Sequence, residues 1–125
     1  MPRKAAEVTE TELRILDVLW EQGPTIVRDI VERLYGEHSP SLHATVKSLL
    51  DRLAEKGYVT SDDSRHAHTF SATMERDELV GQQIQQLADA HFDGSLNPVL
   101  LALVNRVKLG KKQREAIRKI IESIE

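Results

Sequence analysis

Cysteine and long apolar runs are both missing from this chain of 125 residues. The absence of cysteine excludes disulfides, thiolate metal sites and cysteine nucleophiles. No apolar run approaches the length of about 20 residues that a membrane span needs. No apolar stretch of the signal-peptide type follows the basic N-terminus. We therefore expect a cytoplasmic protein without membrane insertion.

A basic excess is also lacking, since the formal net charge is −3 at pH 7. Residues 1–72 contain nine Lys or Arg against twelve Asp or Glu, and residues 73–125 contain eight of each kind. Affinity for nucleic acid depends on how many phosphates a protein neutralises. Any DNA binding must therefore use a local basic surface, and specific binding would need two copies that act together.

Motifs of enzyme chemistry are absent as well. No sequence pattern places a nucleophile on a sharp turn, and there is no phosphate-binding loop. We therefore expect neither enzyme activity nor a cofactor.

Three helices are predicted in the first half of the chain. Thr9 and Glu12 have the spacing of a capping box and open the first helix. A second helix is predicted from about Thr25 to Tyr35, and a third from Ser41 to Lys56, where a regular apolar stripe ends at a Lys-Gly pair.

After the third helix, the hydrophobic pattern changes from helical spacing to the alternation of strands. Tyr58 to Ser61 is strand-like, and His66 to Ser71 alternates as a returning strand. Helical patterns then cover about Glu75 to Phe92, Leu96 to Val107 and Lys111 to Ile124. The order predicts a mainly α fold with a small β-hairpin.

This order is typical of a winged helix-turn-helix followed by dimerisation helices. We place the winged DNA-binding domain at residues 1–72 and the helical dimerisation region at residues 73–125. The later helices have more apolar residues than a free-standing tail should expose, which favours contact with another copy.

The third helix has two distinct faces. At about 100° per residue, its buried face centres between Val46 and Leu53, and Lys47 lies on one flank. A small, polar arc lies opposite, where hydroxyls can meet bases or phosphates and an arginine can grip a guanine edge or a phosphate. The alternative is an ordinary solvated face. The arc consists of Ser41, Ala44, Thr45, Ser48 and Arg52.

Three runs of sequence carry a family resemblance. The runs Leu16 to Pro24, Val27 to Val31 and Thr45 to Tyr58 resemble the penicillinase-repressor (BlaI/MecI/CopY) family of bacterial winged-helix repressors. The resemblance implies a homodimer that binds a palindromic operator on double-stranded DNA and is held together by its C-terminal helices. The family's DNA-contacting positions match Thr45, Lys47, Ser48, Arg52 and Arg65 here. Together with the residues indicated by the helix start, the outward arc and the hairpin, the expected DNA-binding residues are Ser41, His43, Ala44, Thr45, Lys47, Ser48, Arg52, Arg65 and His66.

The chain departs from the family pattern in three ways. The segment before and at the start of the third helix, from His38 to Ala44, differs from the usual residues, so base preference should differ. The Asn-Phe bond at which a sensor membrane protease acts in some relatives is replaced by Ala102-Leu103. The copper-responsive members carry cysteine pairs that this chain lacks.

The hairpin residues have alternative interpretations. Arg65 would contact the minor groove or a phosphate, or would be a solvated turn residue. His66 and His68 alternate on one face and would approach phosphate, with tighter binding at lower pH. A metal site is the weaker alternative, because no third ligand is apparent.

The C-terminal apolar stripe would form a dimer interface, line a ligand pocket or fill a monomer core, and we favour the dimer. Two alternative functions stay open: a winged-helix regulator that senses a small molecule at its dimer interface, and a module used only for protein contacts. The expected dimerisation residues are Leu87, Phe92, Leu96, Val99, Leu100, Leu103, Val104, Val107, Ile117, Ile120 and Ile121.

Overall fold

The computed structural model describes residues 7–64, 68–106 and 109–124, with the backbone alone at residues 121 and 124. The described elements form two compact units, Met1–Val80 and Gly81–Glu125. The helices are α1 (Glu10–Gln22), α2 (Val27–Tyr35), α3 (Pro40–Lys56), α4 (Arg76–His91), α5 (Asn97–Arg106) and α6 (Lys111–Ile124). The strands are β1 (Thr25–Ile26), β2 (Val59–Asp62) and β3 (Thr69–Ala72).

The first unit has a continuous apolar core beneath three helices and a sheet. The predicted stripes of the first three helices meet there, because their apolar residues recur at helical spacing and cover one face of each helix. Burial of one such side chain stabilises a fold by about 1.5–3 kcal/mol. The fully buried members are Ile15, Leu16, Ile30, Val31, Val46, Leu50, Leu53 and Leu79.

The sheet has three antiparallel strands in the order β1-β3-β2. Our prediction of a helix beginning at Thr25 was wrong at its start, because Thr25 pairs with Phe70 and Ile26 pairs with Thr69. Ile26 is extended, with φ −80° and ψ 157°, and the Thr25 hydroxyl donates to the Gly23 carbonyl at 2.7 Å. These β-branched residues therefore add an edge strand before α2 begins.

The hairpin strands lie slightly later than the pattern predicted. Val59 pairs with Ala72, and Asp62 pairs with Thr69, so the returning strand begins after His68 rather than at His66. The C-terminal helices begin and end within about two residues of their predicted bounds, the usual uncertainty of helix ends. The predicted boundary between residues 72 and 73 stays a prediction.

The second unit buries little of its apolar surface. Among its described side chains, Ala88 is the only buried apolar residue, and α5 has no buried residue. Within the described parts of the chain, no helix combines the length and apolar character needed to cross a membrane.

Candidate nucleic-acid interface

The start of α3 is set by local hydrogen bonding. The Ser39 hydroxyl accepts a hydrogen bond from the Leu42 amide at 3.1 Å, and Pro40 occupies the first helical position. Both features satisfy or remove amides that have no partner within the helix. Gly57 ends α3 in the left-handed region, with φ 87°.

The inner face of α3 is attached to the core along its length. Val46, Leu50 and Leu53 are fully buried. At the C-terminal end, the Lys56 ammonium lies 2.7 Å from Oε1 and 3.0 Å from Oε2 of Glu12. It also donates to the Glu7 carbonyl at 2.8 Å. The last turn of α3 is therefore joined to the first turn of α1.

Glu12 is a buried carboxylate with a complete set of partners. Its side chain is fully buried and accepts from the Thr9 amide at 2.9 Å, while the Thr9 hydroxyl accepts from the Glu12 amide. Burial is the largest single influence and acts to raise the pKa of Glu12. Hydrogen bonds from Lys56 and Thr9, together with the charge of Lys56, outweigh burial, so the pKa lies below its usual value.

The outward arc of α3 is open to solvent, as predicted from its helical periodicity. Its members Ser41, Ala44, Thr45, Ser48 and Arg52 are all exposed. The Thr45 hydroxyl donates to the Ser41 carbonyl at 3.0 Å, which leaves its oxygen able to accept. Arg52 has no hydrogen-bond or ion-pair partner among the described residues, so its guanidinium is available to a ligand.

Lys47 differs from Arg52 because its charge is engaged within the protein. It is half-buried, its ammonium lies 2.7 Å from Asp51 Oδ1, and the same ammonium lies 5.6 Å from the centre of the Phe70 ring. The pairing also neutralises Asp51 beside Arg52. Glu55, the other acidic residue of this end, is exposed.

Two histidines meet at the start of α3. Nε2 of His38 and Nδ1 of His43 are 2.9 Å apart, and both side chains are half-buried. His43 was expected to contact DNA, whereas no role was predicted for His38. The available signal was a second histidine five residues away, across the predicted helix start.

The predicted wing contacts are described only in part. Arg65 and His66 lie outside the described residues. On the near side of the turn, the Ser64 amide donates to Asp62 Oδ1 at 2.9 Å, and on the far side His68 stacks on Phe70 with ring centres 5.0 Å apart. The described residues contain no group of three or more side chains that could hold a metal ion.

Most predicted dimerisation residues are exposed within the single chain. Val99 and Ile117 are half-buried. Val107 and the side chain of Ile121 lie outside the described residues. The exposed members are Leu87, Phe92, Leu96, Leu100, Leu103, Val104 and Ile120.

The first unit has the architecture of winged-helix transcriptional regulators. It contains a helix-turn-helix, α2 to α3, followed by a β-hairpin in a small antiparallel sheet. A solved transcriptional regulator from Thermotoga maritima has a similar fold, with a TM-score of 0.51 and 20% sequence identity over 94% of this chain and 73% of that chain.

The sequence comparisons narrow this class to one family. The family profile described as penicillinase repressor matches residues 8–123. The transcriptional regulator BlaI of Mycobacterium tuberculosis is 32% identical over 124 residues, 98% of this chain and 88% of the relative. The methicillin resistance regulatory protein MecI of Staphylococcus aureus is 20% identical over 97% of this chain and 98% of its own.

The chain therefore belongs to the penicillinase repressor family. It is a DNA-binding transcriptional repressor, and its relatives are regulators rather than enzymes. The family resemblance expected from the sequence is confirmed.

Proposed function

We propose that the chain acts as a homodimer and represses transcription by binding a palindromic operator. Each α3 would enter the major groove of one half-site with its small, polar arc toward the bases. The observation that carries this proposal is an open arc in which Arg52 has no partner among the described residues, beside an Asp51 that Lys47 already neutralises. A helix of this shape fits a major groove about 12 Å wide.

The second unit supports the homodimer. Leu96, Leu100 and Leu103 are between 42% and 53% exposed, although buried leucine is the rule in a finished core. Contiguous exposed apolar surface of this kind marks an interaction site. A second copy of the same chain would cover it and leave two α3 helices in one particle.

Dimerisation would also offset the unfavourable charge of the chain. With a net charge of −3, one protomer attracts DNA weakly over long distances. When one protomer of a dimer has bound its half-site, the second protomer is held at a high effective concentration near the other half-site. The overall affinity of two linked modules therefore commonly exceeds single-site affinity by about 10²–10⁴. Specific affinity would then come from the paired helices rather than from a basic surface.

The first test is the change Arg52→Ala. The probe is a duplex recovered with the full chain from a random-sequence library, and affinity is measured by fluorescence anisotropy across a salt series. We expect a loss of about tenfold or more, because a bidentate arginine contact to guanine is worth about 1–3 kcal/mol. A phosphate contact would instead lower the salt slope by about 1 without changing sequence preference.

Two control variants isolate the role of the arc. Arg33→Ala removes one positive charge from the first unit, as Arg52→Ala does, but Arg33 pairs with Glu21 at 2.8 Å. This variant should leave the affinity for the duplex nearly unchanged. Lys47→Ala should have a smaller effect than Arg52→Ala, because the Lys47 ammonium is already paired. Equal affinity of wild type and Arg52→Ala at every salt concentration would contradict the proposed DNA-reading face.

Release from the operator has two candidate mechanisms. A sensor membrane protease is the partner that the resemblance implies, and Ala102 and Leu103, which replace the family's Asn-Phe bond, are both exposed on α5. Appearance of a shortened chain on immunoblots of induced cells would support cleavage.

The alternative mechanism is a small molecule bound in the second unit. A groove of about 450 Å³ is lined by the apolar residues Val104, Leu109 and Ile117 and by the charged residues Arg114, Arg118 and Glu122. The composition suits an apolar ligand with an acidic group. Loss of operator affinity by the intact chain on addition of such a compound would support this second function.

A further inference from the structure

The His38–His43 contact is a direct hydrogen bond between two imidazole rings. The bonded nitrogens are 2.9 Å apart, while the ring centres are 5.1 Å apart with an interplanar angle of 83°. Both nitrogens therefore lie close to the line that joins the ring centres. This geometry arises when the N–H group of one ring points at the nitrogen lone pair of the other ring. In a shared metal site, both lone pairs would instead point at a metal ion that lies off the line between the ring centres.

Such a bond restricts the protons that the pair can hold. One ring must donate and the other must accept, so the intact contact is compatible with one net positive charge but not with two. Because Nδ1 of His43 is engaged, Nε2 is its remaining nitrogen. Within the described part of the chain, neither ring has a second hydrogen-bond partner.

The position of His43 is suited to contact with an anion. Its amide donates to the Ser39 carbonyl at 2.9 Å, which places it in the first turn of α3, the part of a recognition helix that reads bases. A DNA phosphate at this position would favour the charged form of an imidazole that contacts it, so protonation should accompany DNA binding.

The charged side chains of α1, α2 and α3 that have partners among the described residues pair with groups other than the two histidines. On α3, Lys47 pairs with Asp51. On α2, Arg28 pairs with Glu32, and Arg33 pairs with Glu21 of α1. Arg14 of α1 donates to the Leu34 carbonyl. Glu37, beside His38 in the sequence, is exposed. Among the described residues, no carboxylate forms an ion pair with either imidazole. Nε2 of His38 is therefore the hydrogen-bond partner of His43 Nδ1 within the described residues.

We propose that His38 is a positioning residue for His43 in DNA recognition. His38 accepts the Nδ1–H of His43, and His43 meets DNA as an imidazolium whose Nε2–H donates to an acceptor on the duplex. Each protomer takes up one proton from solvent on binding. This inference rests on the proposed function, because it requires α3 to contact DNA.

The test measures affinity for the library-selected duplex between about pH 6 and about pH 8, the range in which histidine changes charge. Chelator in the buffer prevents metal from bridging the rings. For the wild type, affinity should fall as pH rises, by at most about tenfold per pH unit for each protomer. His38→Leu should lower affinity at the acidic end by about tenfold for each protomer, the value of a lost hydrogen bond to a charged group, and flatten the profile.

A conservative variant separates positioning from a merely structural role. His38→Gln retains an acceptor oxygen, so it should keep most of the affinity and of the pH dependence. His43→Gln should remove the part of the pH dependence that His66 and His68 of the hairpin do not supply, and adding His38→Leu to it should cause no further loss, because the two residues act as a unit. His91→Gln, an exposed histidine of α4, should leave both affinity and profile unchanged.

Nitrogen-15 spectra of the histidines provide an observation that does not depend on affinity. They should show both ring nitrogens of His43 protonated in the complex. This measurement on the wild type tests the charge of His43 even if His38→Leu fails to fold. A wild type that binds no duplex at any pH overturns the proposed function. A wild type that binds without pH dependence, or a neutral His43 in the complex, overturns the role of His38 and leaves the repressor intact.

Discussion

Glu12 illustrates how one charged residue is tolerated in the core of a small domain. An isolated carboxylate in such a place costs several kcal/mol, and the fold offsets this cost with Lys56 and the Thr9 amide. The capping box was predictable because Thr9 and Glu12 are three residues apart. The Lys56 contact was not, because it joins residues 44 positions apart and depends on how α3 packs on α1.

The change Glu12→Gln tests the energetic role of this contact. At neutral pH, loss of the charge should lower the free energy of unfolding by about 2 kcal/mol. Breaking a fully buried ion pair costs more, about 3–5 kcal/mol. The smaller loss is expected here because Lys56 is 24% exposed and can turn toward water. Urea unfolding of the two proteins measures the difference. Glu55→Gln, an exposed carboxylate of α3, is the control and should change stability little.

The pH dependence of the same difference has a definite sign. The pKa of Glu12 is lowered in the folded protein from an ordinary value of 4.5, so the charged form stabilises the fold. This contribution is fully present above 4.5 and is lost as the pH falls through the lowered folded value. The advantage of wild type over Glu12→Gln should therefore shrink in acid. A constant difference from neutral pH to acid would contradict the assignment.

At the scale of one element, α3 depends on the residue before its first turn. Ser39→Ala removes the side-chain acceptor for the Leu42 amide, and such a change usually costs about 1 kcal/mol. Thermal unfolding should show the loss, and Ser39→Asp should retain most of the stability because aspartate also caps. Ser41→Ala, two residues on and exposed, is the matched control. Equal stability of Ser39→Ala and Ser41→Ala would show that the cap contributes nothing.

The strand β1 shows where pattern reasoning failed for an element. Thr25 and Ile26 continue the apolar spacing of α2, so periodicity alone assigned them to the helix. Their extended conformation depends on β3, about 45 residues later in the chain, whose Phe70 and Thr69 supply the pairing partners. Elements with strong local signals, such as α3 and its closing glycine, were predicted within about a residue.

In the candidate DNA-binding site too, features set by local sequence were predictable, and features that depend on distant residues were not. The outward arc of α3 was predictable because helical geometry alone decides which residues oppose Val46 and Leu53. The ion pair of Lys47 with Asp51 has the i,i+4 spacing that a sequence shows, but the contact of Lys47 with Phe70 was not predictable, because it depends on how β3 packs beside α3. The contact of His38 with His43 was also missed, because a residue outside the helix has no helical periodicity.

At the scale of the whole molecule, repression by this chain should require the second unit to assemble. α5 has no buried residue, and Leu103 is 53% exposed, so the helix gains little stability from its own chain. Burial of one leucine side chain against a second copy contributes about 1.5–3 kcal/mol to association. A charge at that position would be desolvated without a partner, which is costly.

The decisive change is therefore Leu103→Glu. Sedimentation at micromolar concentration should find a dimer for the wild type and a monomer for this variant. Operator affinity should fall by about 10² or more, because the second half-site is no longer held nearby. The helical circular dichroism and the unfolding of the first unit should persist, since its core does not include Leu103. Asn105→Glu adds the same charge two residues along α5, at an exposed polar position, and should remain dimeric. A monomeric wild type, or a Leu103→Glu variant that dimerises and binds its operator normally, would show that the exposed apolar surface of the second unit serves another partner.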